Sequence, residues 1–244
     1  MLINPTINTL KSMKLHGMAK ALEAQLAMPD VDKLSFDERF GLLVDHESTH
    51  RENEGLQSRL RKAKLRHETV IEDVDLKKPR GIDKTLVAAL SSCQWVHKHQ
   101  NVLITGKAGV GKSFIACALA QKACRDGYTA LYERAPRLFE ELAVANADGR
   151  YGKVLLSICK RDVLILDDFG LTPLTQEQRR HLLEVLEDRY DRKSTIVTSQ
   201  LPTDNWHDII GEPTYADAIM DRLIHNAHKL QLTGGSRRKN QGED

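Results

Sequence analysis

The residues Gly106-Lys107-Ala108-Gly109-Val110-Gly111-Lys112-Ser113 have the types and spacing to hold a chain of phosphates. Glycines let consecutive backbone N–H groups turn inward around an anion without Cβ clashes, and the positive end of a following helix adds to the attraction. The apolar run Val102-Leu103-Ile104-Thr105 precedes this loop and Phe114-Ile115-Ala116-Cys117-Ala118-Leu119-Ala120 follows it, so the context is strand, loop, helix. Lys112 is placed to reach the outer phosphates and Ser113 to offer a hydroxyl to a magnesium ion bridging them. A nucleoside triphosphate, ATP with Mg2+, is the expected ligand.

A second set of groups follows at Val163-Leu164-Ile165-Leu166-Asp167-Asp168-Phe169-Gly170. Apolar residues in unbroken succession read as a strand buried on both faces of a parallel sheet, and carboxylates at its C-terminal end fall where open α/β sheets bind ligands. Asp167 is the expected partner of the magnesium ion held by Ser113, and Asp168 the group that orients or deprotonates an attacking water. Thr195-Ile196-Val197-Thr198-Ser199 reads as another buried strand. Gln200 at its end either holds that water, senses the γ-phosphate, or simply enters the turn at Leu201-Pro202.

Alternating elements must position these groups. Strands are expected near 101–105, 128–132, 163–167, 195–199 and 229–233, and helices near 112–125, 136–146, 151–160, 176–189 and 215–227. Such alternation predicts an α/β fold with a mainly parallel sheet flanked by crossover helices. Residues 1 to about 75 carry helical signals instead. Apolar residues recur from Ile7 to Leu26, Ser35-Phe36-Asp37-Glu38 forms a capping box for a second helix, and a third segment from Asn53 to about Glu68 bears Arg59, Arg61, Lys62, Lys64 and Arg66. With Lys77-Lys78-Pro79-Arg80-Gly81 as linker, the expected division is a small all-α domain, 1–78, and an α/β domain, 79–244.

The 244 residues are 41% hydrophobic and 29% charged, with a formal net charge of +2, so a basic surface must come from local clustering. Cys93, Cys117, Cys124 and Cys159 lack C-x-x-C pairing, and no run approaches a membrane span. A reducing cytoplasm is the expected compartment and no membrane partner is implied. His46-Glu47-Ser48-Thr49-His50 matches the two-histidine pattern of zinc proteases, but a third ligand is missing at the extended spacing, and the segment reads as a solvated helix face. Arg222, in Asp217-Ala218-Ile219-Met220-Asp221-Arg222-Leu223-Ile224, is either a surface arginine or one that reaches another subunit's nucleotide.

The chain resembles the IstB-like ATP-binding helper proteins encoded beside the transposase of bacterial insertion sequences, relatives of the DnaC helicase loaders. The resemblance is carried by the helical N-terminal segment, the phosphate loop, Leu166 to Gly170, Thr198 to Pro202, Trp206, Asp217 to Leu223, and the closing Gly234, Ser236 and Arg238. It implies an AAA+ ATPase fold in which Gly106 to Ser113, the following Phe114 and the tail residue Arg238 contact nucleotide. Gln200 then stands at the sensor position and Arg222 at the arginine finger. The sensor is more often Asn, and the usual Asp-Glu pair is Asp-Asp here. The resemblance further implies assembly as an ATP-dependent homo-oligomer on duplex DNA and assistance to the element's transposase.

Two basic clusters are candidate DNA surfaces: Arg59 through Arg66, and Arg134, Arg137, Arg150, Lys153, Lys160 and Arg161. Few aromatic residues accompany them, which favours phosphate contacts on duplex over stacking on single strands. A DnaC-type helicase loader is the alternative within the same fold. A small-molecule kinase is the alternative outside it, disfavoured because no arginine-rich lid or acceptor pocket is evident.

Overall fold

The computed structural model describes residues 3–75 and 83–235, within which the chain forms two compact units, Met1–Ser58 and Arg59–Asp244. This division falls earlier than the boundary expected at 78, because residues from Arg59 to Asp73 are held against the helix Lys112–Arg125 of the second unit. The first unit holds α1 (Ile3–Ser12), α2 (His16–Leu26) and most of α3 (Phe36–Ala63). The capping box opens α3: Glu38 accepts from the Ser35 N–H at 2.8 Å, and Ser35 Oγ accepts from the Glu38 N–H at 3.3 Å. No glycine or proline interrupts the stretch between the two expected helices. α3 ends where Lys64 takes a left-handed conformation, φ +51°.

The zinc-like pattern corrects one expectation. Glu47 is buried rather than solvated, and its Oε2 accepts the Gly17 and Met18 N–H groups at 2.8 and 3.1 Å, at the N-terminus of α2. A carboxylate there satisfies orphan donors and meets the positive helix end. Gly17 allows the approach, since a Cβ on it would lie 2.6 Å from the His46 carbonyl.

In the second unit α4 (Lys84–Ser91) and the short α5 (Gln94–His97) lead to β1 (Asn101–Gly106), then α6 (Lys112–Arg125), β2 (Ala130–Arg134), α7 (Ala135–Ala147) and α8 (Tyr151–Cys159). β3 (Val163–Phe169), α9 (Gln176–Arg189), β4 (Ser194–Ser199), the short α10 (Trp206–Ile210), α11 (Pro213–Ile224) and β5 (Ala227–Leu232) complete it. All pairings are parallel, in the order β2-β3-β4-β1-β5. The central strands are buried on both faces, which is why they lack alternation. α11 ends at Ile224, three residues short of expectation, because Ala227 already pairs with Asn101 to begin β5.

Candidate functional site

The carboxyl ends of β1, β3 and β4 lie side by side and bring the phosphate loop, the acidic pair and Gln200 to one edge of the sheet. Gly106 takes φ +146°, and a Cβ on it would meet the Leu232 carbonyl oxygen of β5 at 2.4 Å, so the turn out of β1 requires glycine. Gly109 and Gly111 also have positive φ, and the loop delivers Lys112, Ser113 and Phe114 as the first turn of α6. Lys107 and Ala108 are exposed at the tip, whereas Val110 is buried and anchors it. Lys112 Nζ donates to the Gly106 and Lys107 carbonyls at 2.7 and 3.0 Å, so the ammonium sits inside the loop that is to receive phosphate.

Ser113 Oγ donates to Asp167 Oδ1 at 2.7 Å, which joins the two groups expected to share a metal. Asp167 is completely buried and also accepts from Tyr132 Oη at 2.5 Å and from Thr198 Oγ1. Burial alone raises its pKa, but the hydroxyls of Thr198, Tyr132 and Ser113 and the charge of Arg66 outweigh burial and hold it below the usual carboxylate value. The cluster of carboxylate and hydroxyl oxygens is the donor chemistry that a hard divalent cation takes. Beside it the loop glycines Gly106, Gly109 and Gly111 hold the positive φ that turns backbone N–H groups toward an anion, so these residues fit magnesium with ATP.

Asp168 lies at a register shift between β3 and β4, with φ +60°, a conformation costly for a non-glycine residue and concentrated at functional positions. The bend turns its carboxylate out of the strand to Arg134 Nε at 2.9 Å, while its N–H donates to Thr198 Oγ1 at 3.2 Å. Behind it the Phe169 ring packs edge-on against the buried Trp206 at 4.9 Å, fixing the strand end. Gln200 is exposed in the turn after β4.

The basic stripe of the sequence does not form a single solvated face. Arg59 Nε donates to the Cys124 carbonyl at 2.8 Å, near the C-terminus of α6 where a cation is favoured. Arg66 Nη1 lies 3.5 Å from Asp167 Oδ2 and 4.0 Å from Asp168 Oδ2. Between them Arg61, Lys62 and Lys64 are exposed. Lys64, Arg66, Arg134, Arg137 and Arg150 converge on one cleft of ≈ 650 Å³ beside Tyr132, bringing together the two clusters that are distant in sequence. Glu133, Glu140 and Glu141 line the same cleft and offset part of its charge. Arg150 also pairs with Asp148 at 2.6 Å, Lys153 and Lys160 are exposed, and Arg161 is half-buried.

Arg222 is at the opposite edge of the sheet. Its carbonyl accepts from Asn101, the first residue of β1, at 2.8 Å, whereas the phosphate loop leaves the last. Five strand steps at ~3.3 Å put it roughly 16 Å from its own subunit's loop along the strand. The guanidinium pairs with Glu187, donates to the Ala218 carbonyl at 2.9 Å and lies 5.9 Å from the centre of the Tyr190 ring. Arg238 lies outside the described residues.

The sequence motifs assign no role to Tyr132 or Thr198 and put Arg66 in the basic stripe expected to face DNA. Only the adjacency of β2, β3 and β4 brings the two hydroxyls to Asp167. No described helix is long and apolar enough to cross a membrane.

Comparison with known proteins places this geometry in context. A family model described as IstB-like ATP binding protein matches residues 8–244. A putative insertion sequence ATP-binding protein of Sinorhizobium fredii is 52% identical over 241 residues, covering 99% of this chain and 98% of the other. Among solved structures, DnaI aligns with TM-score 0.59 at 23% identity, over 68% of this chain and 92% of that one. The DnaC helicase loader aligns with TM-score 0.55 at 20% identity, over 65% and 95%. These likenesses show that the second unit shares the fold of those proteins, a parallel sheet flanked by helices.

Proposed function

This chain belongs to the IstB-like ATP-binding protein family, and we propose that it is an ATPase switch that assembles on duplex DNA as an ATP-bound homo-oligomer and there recruits or activates the transposase of its insertion sequence. The observation that carries the ATPase reading is the Ser113–Asp167 hydrogen bond beside the phosphate loop, with Asp168 next to it. Likeness along nearly the whole of an insertion sequence protein favours transposition over helicase loading.

In this reading Lys112 turns from the loop carbonyls to the outer phosphates, and Ser113 and Asp167 hold magnesium. The bound ion would neutralise charge on the β- and γ-phosphates. Asp168, once released by Arg134, orients a water and takes its proton while the water oxygen bonds to the γ-phosphorus. The bond to the bridging oxygen breaks, leaving ADP and phosphate. Gln200 aligns that water, and Arg238 contacts nucleotide from the tail. Arg222 faces away from its own loop and completes the site of a neighbouring subunit.

Duplex phosphates are assigned to the exposed Arg61, Lys62 and Lys64, with Arg134, Arg137, Arg150 and Lys153 on the adjoining cleft and helices. Phosphate release from ATP, measured with and without duplex DNA while sizing the protein with a non-hydrolysable analogue, tests the proposal. Assembly that needs both analogue and DNA, with hydrolysis raised by DNA, is the expected result. Transfer of phosphate to a small acceptor, with no response to DNA, would replace this reading by the kinase one.

A further inference from the structure

A carboxylate as deeply buried as Asp167 keeps its charge only among strong partners, and its three hydroxyl donors are neutral. Positive charge comes from Arg66, which belongs neither to the sheet nor to the phosphate loop. It stands at the apex of a strap, residues 59–75, folded back along α6. Arg59 fixes one end of the strap to the Cys124 carbonyl, and Glu72 fixes the other to Arg125 at 2.8 Å. At the apex the His67 ring lies 6.2 Å from that of Phe114, in the first turn of α6. Thr69 and Val74 are buried on the return.

We propose that Arg66 is a positioning residue that holds Asp167 in the absence of metal and competes with magnesium for it, so that binding of the magnesium nucleotide releases the apex of the strap. This rests on the reading of Ser113 and Asp167 as the magnesium ligands. The geometry supplies the conflict: Arg66 Nη1 is 3.5 Å from the Asp167 oxygen and 4.0 Å from the Asp168 oxygen. A magnesium ion bound to this carboxylate would set two cations a few ångströms apart beside the buried Asp167, and the Arg66 side chain is exposed enough to turn out to solvent. The end of the strap carrying the cation yields, while the anchors at Arg59 and Glu72 keep the rest in place.

The experiment follows binding of a fluorescent, non-hydrolysable ATP analogue to the full chain as magnesium is titrated. Arg66→Gln is expected to reach half-maximal magnesium-dependent binding at roughly tenfold lower magnesium, a shift equivalent to about 1.4 kcal/mol. Its affinity for the analogue in chelator should be unchanged, and Arg66→Lys should restore the wild-type requirement in large part. A variant-free measurement accompanies it: amide exchange over residues 64–69 of the wild-type chain should quicken with magnesium and analogue together, and with neither alone. Asp167→Asn separates the two readings. If it abolishes the magnesium requirement while Arg66→Gln leaves it at the wild-type value and exchange is unaltered, the competition is wrong and the metal site stands. If Asp167→Asn keeps the wild-type requirement, the metal assignment fails and the competition with it. A higher magnesium requirement in Arg66→Gln would show Arg66 helping to hold the phosphates instead, and would also overturn the proposal.

Discussion

The roles proposed for Lys112 and Asp168 belong to different events, and their surroundings show how to separate them. Lys112 already accepts the geometry of an anion clamp, its ammonium held between two loop carbonyls. Lys112→Ala should therefore weaken ATP binding by about 10- to 100-fold, the worth of a charged hydrogen bond. Asp168 pairs with Arg134, so Asp168→Asn should leave affinity nearly intact and slow hydrolysis by about 10²- to 10⁴-fold. Analogue titration and phosphate release on both variants check this; equal loss of binding would remove Asp168 from the water-activating role. His181 supplies a pH prediction. Its side chain is fully buried beside the Tyr151 ring at 5.1 Å, and burial lowers its pKa from the ordinary 6.5. The unfolded chain then binds the proton more tightly, so this contribution to stability is complete above pH 6.5 and declines as the pH falls through 6.5 towards the folded value. Melting temperature followed from pH 8 to 5 should lose part of its acid dependence in His181→Phe.

At the scale of elements, Arg189 near the end of α9 is a test of how the sheet is braced. It is buried, its pKa lowered by burial to about 10, and it donates to the Ile158 carbonyl at 3.2 Å, the Arg161 carbonyl at 2.8 Å and the Ser194 carbonyl. Arg189→Met should destabilise the second unit by about 3–5 kcal/mol, since several carbonyls lose their donor, whereas Thr175→Ala, removing only the cap of α9, should cost about 1 kcal/mol. Denaturant unfolding ranks the two. These braces bear on what could be read beforehand. β1, β3 and β4 were legible because burial on both faces leaves an unbroken apolar run, and the α9 cap because Thr175 and Gln178 are three residues apart. The continuity of α3 was not, since the apolar pattern lapses between Val44 and Leu56 and Gly55 disfavours a helix there, although no proline interrupts it. The phosphate loop and acidic pair are local motifs and stood out. Tyr132, Thr198 and Arg66 reach Asp167 through strand adjacency and the strap, which no spacing encodes.

For the molecule as a whole, the sheet has two working edges: the phosphate loop leaves the carboxyl end of β1, and Arg222 is tied to its first residue, Asn101. A subunit so arranged cannot bring its own guanidinium to its own γ-phosphate, so catalysis through Arg222 requires a neighbour. The side chain is half-buried, and reaching outward means giving up Glu187 and the Ala218 carbonyl. In the proposed oligomer that cost would be offset by the concentrated negative charge of a triphosphate in the adjoining subunit, which would link hydrolysis to assembly. Arg222→Ala should bind ATP with nearly unchanged affinity and hydrolyse it about 10³-fold more slowly, as expected for loss of an arginine that stabilises the transition state. Mixing it with Lys112→Ala gives the sharper test. In interfaces where the Arg222→Ala subunit supplies the loop and the Lys112→Ala subunit the arginine, a complete site is rebuilt and hydrolysis should reappear, with a maximum near equal proportions. Assembly of mixed oligomers, verified by sizing with two differently tagged chains, without any recovery across mixing ratios would confine Arg222 to its pairing with Glu187 and remove it from the neighbouring site.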